Sequence, residues 1–438
     1  MWFFDIFSLL LQFILFYDII CPSWLTFERI YYMNDKKNMT LRRLILLVGT
    51  VSMLFAGIIY AWSILKVPFA EELRFSPSAL ALNFTLTMCF FCLGGLLSSH
   101  LVRRIGTRLS LVFSGVLAGL GFVLTAWIGW KQIWTLYLTY AFMSGLGIGI
   151  AYILIISTVN AWFPDRRGFS SGALMMGFGA SSLILGNLAD RLFQTELGWK
   201  NTFFLLGVAL FAVLSFSALV IKKPEEDVVL PAPKRKLSSR EEAFEAKDYT
   251  SSEMIRRFTF WRAFLYLICI TAVGNSVISF ARDLALSVGA GASLATTLVG
   301  VLAVCNGLGR IITGAVFDSL GRRFTMFAAN ILTILAAAMT LVAVSIHSLP
   351  LCMVGLCLTG LSYGSSPTVS SAFTSAFYGQ KHFASNLSIM NFNLMGASFV
   401  ATACSTLLSV SGGYTVPFIL LLGLSVLALG LNVTIKKP

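Results

Sequence analysis

The sequence predicts an all-α integral membrane protein, with twelve transmembrane helices in two six-helix bundles. Three observations predict it. Of 438 residues, 57% are hydrophobic and 12% charged, about half the charge of an ordinary soluble domain, too little to cover a water-facing surface. Apolar runs of about 20 residues, long enough to cross a bilayer, recur about twelve times. The two halves also resemble each other at an offset of about 215 residues.

In order, the span cores fall at 44–65, 79–101, 108–129, 134–158, 168–188 and 201–221, then at 261–281, 293–317, 323–346, 350–375, 384–408 and 414–434. This divides the chain into an N-terminal segment (1–43), a first bundle (44–222), a linker (223–258) and a second bundle (259–438). The linker mixes Glu, Lys, Ser and Pro without sustained periodicity and reads as a solvated tether. Residues 2–27 are apolar but interrupted by Asp5 and Asp18. They lack the basic region of a signal peptide. Met33 and Met39 directly precede a basic flank and the first good span, so the opening segment is expected to lie upstream of the true start.

Lys and Arg alternate between loops. Lys36, Lys37, Arg42 and Arg43 precede the first span; Arg103, Arg104 and Arg108 follow the second; Arg166 and Arg167 follow the fourth. The linker, Arg322–Arg323, Lys381 and Lys436–Lys437 continue the series, while the intervening loops are poor in both residues. The positive-inside rule puts both termini and the linker in the cytoplasm, in a plasma or inner membrane. The net charge of +13 is thus topological, and no nucleic-acid partner is expected. Cys89 and Cys92 have CxxC spacing on a span and read as buried small residues; none of the eight cysteines forms a zinc pattern. Neither G-x-x-x-x-G-K-[ST] nor H-E-x-x-H occurs, which argues against an enzyme or a primary pump. No cofactor is expected.

The repeat is visible in particular residues. Trp162-Phe163-Pro164-Asp165-Arg166-Arg167 precedes Ser170 as Phe377-Tyr378-Gly379-Gln380-Lys381-His382 precedes Ser385. The same offset lays Arg103–Arg108 on Asp318–Arg323. Parallel repeats imply two bundles about a central cavity and alternating access.

Arg310 is the only Lys or Arg within 293–317. A cation at the centre of a span costs about 2.5–3.5 kcal/mol on insertion scales, and usually faces a bundle interior where substrate passes. With Asp318 marking the helix end, Arg310 lies roughly 12 Å inside it. A long side chain can also snorkel from there. The polar, close-packed neighbours Asn306, Gly307, Gly309, Thr313 and Gly314 favour the interior, anion-handling reading. No acidic residue sits in mid-membrane within 44–221 or 261–434. That argues against coupling through a buried carboxylate, although a carboxylate held at Arg310 can itself carry a coupling proton.

Gly314-Ala315-Val316-Phe317-Asp318-Ser319-Leu320-Gly321-Arg322-Arg323 resembles the cytoplasmic-loop motif G-x-x-x-D-x-x-G-R-R of the major facilitator superfamily. The resemblance implies a gating contact built on Gly314, Asp318, Gly321, Arg322 and Arg323, with Arg104 and Arg108 in the first-half copy. That copy is degenerate: Ser99 replaces the Gly and Arg103 the Asp. Within the superfamily the chain is similar to the oxalate/formate antiporter family over most of 40–436. The similarity is carried by Gly57–Ser63, Gly145–Tyr152, Trp162–Gly168 and Asn306–Arg310. It implies that Arg310 binds a carboxylate, for which a guanidinium offers a bidentate fork, between aromatic walls. The oxalate exchangers add a Lys in the eleventh span. None occurs in 384–408, where Asn391 and Asn393 stand instead. One cation suits a monocarboxylate such as formate, pyruvate or lactate.

The remaining candidates have two readings each. Tyr60 and Trp62 can line the cavity or belong to an interfacial aromatic belt. Tyr152 and Tyr363 can face substrate or pack, and Asn391 and Asn393 can contact substrate or join helices. The expected partners are a small carboxylate and the lipid bilayer, and the expected state is a monomer. Against a monocarboxylate transporter stand oxalate/formate exchange, export of broader organic anions or drugs, and a carboxylate sensor signalling through the linker.

Overall fold

The computed structural model describes residues 32–129, 132–224, 228, 230 and 248–435. Among these, ten helices are long and apolar enough to cross a membrane. Two of them, Leu82–Thr125 and Thr297–Ser345, are broken by non-helical backbone at Gly106 (φ 77°) and Gly321 (φ 77°). Only glycine adopts that left-handed conformation without penalty, and each break reverses the chain in a single tight turn. Eight continuous helices and two broken pairs make the twelve expected spans.

We label the spans α1 (Met39–Ala61), α2 and α3 (77–105 and 107–125), α4 (Ile133–Ala161), α5 (Arg167–Phe193) and α6 (Gly198–Val220). The second half holds α7 (Phe258–Ser287), α8 and α9 (292–320 and 322–345), α10 (Leu349–Tyr378), α11 (Phe383–Leu408) and α12 (Thr415–Thr434). Residues Leu44–Pro438 form one compact unit.

Lipid is as apolar as any core, so helices associate through close packing of small residues. In α4, a Cβ on Gly149 would lie 2.0 Å from the Phe91 carbonyl oxygen of α2, and one on Gly147 2.7 Å from the Ala118 nitrogen of α3. The alternating glycines of α4 therefore seat two neighbours at once. In the second half, Gly309 of α8 lies under Leu361 of α10, while Gly360 and Gly364 of α10 lie under Leu302 and Asn306 of α8. Rows of exposed large hydrophobics, such as Leu120 on α3, Phe211 on α6, Leu335 on α9 and Val426 on α12, occupy corresponding helices of the two repeats. These are lipid-facing surfaces.

The second half has two apolar cores. One holds Val277, Phe280, Leu284, Leu298 and Phe418. The other holds Tyr266, Met326, Phe373, Tyr378 and Met390. Between these levels the helices lose regularity. α1 tightens to a 3-10 turn at Gly57–Ala61. α10 contains Pro367, which cannot donate to the Tyr363 carbonyl one turn back. α11 breaks between Met390 and Asn393. Irregular backbone survives at membrane depth only where protein or a cavity satisfies it.

One expectation is corrected. Residues 225–227, 229 and 231–247 of the linker lie outside the described residues, as do 1–31 of the opening segment. Residues 248–257, however, are not the end of a solvated tether. Tyr249 is buried, and Thr250 caps the helix Ser251–Ile255 in a reciprocal box with Glu253. Asp248 accepts hydrogen bonds from the Gln380 and Lys381 amides. Two free N–H groups ahead of α11 and an apolar seat for Tyr249 hold the segment down.

Candidate substrate cavity

A small, partly open cavity lies at the level of these irregularities. The two halves line it differently. The first half supplies rings: Tyr60 (α1), Phe91 (α2), Tyr152 (α4) and Phe178 (α5). Phe178 is their hub, with centroids 5.2 Å from Tyr60, 5.9 Å from Phe91 and 5.0 Å from Tyr152. The second half supplies polarity: Thr271 (α7), Arg310 (α8), Tyr363 and Ser366 (α10), and Asn391 and Asn393 (α11). Among the described residues, no acidic side chain lines the cavity.

Arg310 is 4% exposed. It does not run along α8 toward the helix end. Its Nε donates to Asn306 Oδ1 (3.3 Å), one turn back on α8. Its Nη1 donates to the Met175 carbonyl of α5, across the interface between the halves. Gly179 makes room for the guanidinium, since a Cβ there would lie 2.8 Å from Arg310 Cζ. Gly274 likewise seats Tyr363, whose ring a Cβ would overlap at 2.3 Å. Asn393 is committed: Oδ1 accepts from Thr271 (3.4 Å) and Nδ2 donates to the Met390 carbonyl. Asn391 is 5% exposed and its Nδ2 has no hydrogen-bond partner. A buried donor left unpaired is costly.

Six of the seven expected cavity residues are thus brought together. Trp62 is the exception and is corrected: its ring lies against Phe69 and Tyr140, and its Nε1 donates to the Leu80 carbonyl (3.1 Å). Two residues past Tyr60, it points into the first bundle. Phe91, Phe178, Thr271 and Ser366 were not expected. Pro367, inside a span and one turn from Tyr363, is the sequence signal that marks this level of α10.

From the cavity toward the end bearing Arg166, Arg167, Arg322 and Arg323, the halves are tied together. Ser171 and Ser371 share a hydrogen bond (2.8 Å), Arg167 Nη1 donates to Ser375 Oγ (3.2 Å), and Ser388 Oγ donates to the Gly95 carbonyl (2.8 Å). Asp318 at the end of α8 accepts from the Gly168 and Phe169 amides that open α5 (2.9 and 2.8 Å). These are backbone amides, where a carboxylate also meets the positive end of the helix dipole. Gly314 and Gly168 permit the approach: a Cβ on either would lie 2.2 or 2.4 Å from the other's carbonyl oxygen. Gly321 makes the turn after Asp318, and Arg322 lies over the Phe377 ring at 4.9 Å. Arg323 is exposed. Arg104 and Arg108 are also exposed, and neither joins the Asp318 contact. Without an Asp at 103, the first-half turn has nothing to set against the neighbouring amides.

The sequence profile of the Major Facilitator Superfamily matches residues 45–282 and again 263–437. The chain belongs to the Major Facilitator Superfamily. Members are transporters, and this one is a multi-pass membrane protein. It is 27% identical over 350 residues to the "uncharacterized MFS-type transporter YhjX" of Escherichia coli (strain K12), covering 80% of this chain and 84% of that one. It is 26% identical over 273 residues to the oxalate:formate antiporter of Oxalobacter formigenes, 62% of each chain. It is 32% identical over 145 residues to monocarboxylate transporter 6 of Mus musculus, 32% of this chain and 30% of that one. Among solved structures, the superfamily fold aligns with the proton:xylose symporter XylE (TM-score 0.70, 15% identity, 91% of this chain and 97% of that one). It also aligns with FucP in its outward conformation (TM-score 0.64, 13% identity, 90% and 99%).

Proposed function

We propose that this protein is a secondary transporter of a small monocarboxylate such as formate, pyruvate or lactate. It works by alternating access in the plasma membrane, with both termini and the basic end cytoplasmic. The observation that carries this reading is Arg310: a buried cation on the wall of a cavity that, among the described residues, has no carboxylate in its lining. An anion entering that cavity neutralises the charge and gains contacts in a low dielectric. The substrate lowers the cost of occluding Arg310, and this couples binding to the switch. The bundles 44–222 and 259–438 then rock about the cavity, breaking the Asp318, Arg167 and Ser171 contacts as the cytoplasmic end opens.

The lining supports a single-charge substrate. Among the described residues, Arg310 is the only cation on the cavity wall, and α11 contributes the amides Asn391 and Asn393. The relatives named for oxalate:formate exchange and for monocarboxylates support the acid class. The test is counterflow in proteoliposomes loaded with unlabelled formate, pyruvate, lactate or oxalate, with Arg310→Gln and Arg310→Lys beside the wild type. Monocarboxylate exchange that is lost in Arg310→Gln, and partly kept in Arg310→Lys, supports the reading. Equal flux in all three proteins would remove Arg310 from the substrate site, and a preference for oxalate would overturn the single-charge argument.

A further inference from the structure

The two repeats close the basic end with different carboxylates. In the second half, Asp318 accepts from the amides that open α5. Its counterpart at the repeat offset is Arg103, which has nothing to accept with. The turn before α11 nevertheless has its carboxylate, and the linker provides it. Asp248 Oδ1 accepts from the Gln380 amide (2.8 Å) and the Lys381 amide (3.0 Å). Gly379 turns at φ 76°, and a Cβ there would lie 2.1 Å from Asp248 Oδ1, so the seat tolerates no side chain. The next residues secure it. The Tyr249 amide donates to the Tyr378 carbonyl (3.1 Å), Asn386 Nδ2 donates to the Tyr249 carbonyl (2.9 Å) and Ser251 Oγ to Asn386 Oδ1 (2.9 Å).

From this turn a chain of hydrogen bonds crosses to the other half. Gln380, whose amide Asp248 holds, donates through Nε2 to Ser375 Oγ. The same Ser375 oxygen accepts from Arg167 Nη1 of α5 (3.2 Å). Arg167 also interacts electrostatically with both Asp318 and Asp248. Asp248, in the C-terminal part of the 223–258 linker, is thus three hydrogen bonds from the opposite bundle.

We propose that Asp248 is a positioning residue of the basic-end latch: it holds Gln380 and Ser375 in register for Arg167, so the end of the central linker sets how tightly this end closes. The proposal rests on the alternating-access reading for its consequence but not for its test. Ser375, the acceptor of Arg167, sits in the last turn of α10, and a Gln380 whose backbone is no longer pinned by Asp248 loses the bond that orients the Ser375 hydroxyl.

The test is hydrogen–deuterium exchange on the full chain in nanodiscs, comparing wild type with Asp248→Ala and the isosteric Asp248→Asn. The informative peptide covers 165–171, on the opposite bundle, which the hydrogen-bond chain from Asp248 reaches through Gln380 and Ser375. The expected result is exchange there at least about fivefold faster in either variant, as a local opening becomes cheaper, with 202–214 in α6 unchanged. If Asp248→Ala fails to fold, Asp248→Asn carries the measurement. Faster exchange confined to 378–384 would reduce Asp248 to a local cap and overturn the proposal. Acceleration of 202–214 alongside 165–171 would mean general loosening and overturn it equally. Failure of the substrate reading shows separately, as absence of monocarboxylate flux in the wild type.

Discussion

Arg310 and the residues around it decide what the cavity can hold. Gly179 is as much part of the site as the guanidinium it faces, since any Cβ there would overlap Arg310 Cζ and both terminal nitrogens. Gly179→Ala is expected to lower carboxylate uptake at least about tenfold, a loss of ~1.4 kcal/mol, while membrane expression stays at the wild-type level. Expression and uptake measured together separate this from misfolding. Asn391 is the place to test charge selection. Its Nδ2 is buried and unpaired on the cavity wall, and Asn391→Lys would set a second cation opposite the first. We expect that variant to gain oxalate exchange relative to formate, and an unchanged ratio in counterflow would refute the link between cation number and substrate charge. Arg310 itself was legible in the sequence, because a lone cation in an apolar run is costly wherever it points. Trp62 was not. Two residues separate it from Tyr60, and on a helix that rotates the side chain from the cavity into the α2–α4 packing.

At the scale of elements, glycine does two separable jobs. Gly106 has nothing within 4 Å of an added Cβ, yet its φ of 77° lies in the left-handed region. Gly106→Ala is therefore expected to cost about 1–2 kcal/mol of stability with little effect on transport. A thermal shift beside an unaltered uptake rate would show it. Gly314 is the opposite case: its conformation is ordinary, but a Cβ would lie 2.2 Å from the Gly168 carbonyl oxygen across the interface. Gly314→Leu should hold the basic ends of α5 and α8 apart, and so slow exchange by at least about tenfold with the protein still folded. Wild-type turnover in that variant would show that the crossing does not matter to the cycle. The twelve spans could be read one by one, since length and hydropathy are local. The break in α11 could not, because Asn391 and Phe392 carry no strong breaker and their unwinding is stabilised by Cys92 and other neighbours in space.

For the molecule as a whole, the basic end is closed by contacts between the halves, and Asp318 makes two of them through a charged acceptor. Hydrogen bonds to a charged acceptor contribute about 1.5–3 kcal/mol each. Asp318→Asn keeps the shape but removes the charge, so the equilibrium should move toward the state open at that end. Faster hydrogen exchange over 165–171 with substrate absent is the expected sign, and unaltered protection would remove Asp318 from the latch. The aromatic first half and the polar second half also differ in what they contribute to the cycle. On the alternating-access reading proposed above, Arg310 would travel with one half and Phe178 with the other, so a cage around a small acid would exist only while the halves are together.

The sequence alone determined the membrane class, the twelve spans, the repeat and the one intramembrane cation. Each follows from partition between lipid and water, which is a property of local composition. Only the tertiary structure decided which ring faces the cavity, which end is shut, and that Asp248 of the linker is part of the fold. In lipid the outer and inner faces of a helix are equally apolar, so periodicity carries little information about direction. Facing is set by which glycines let which helices approach, and that becomes definite only when all twelve are packed.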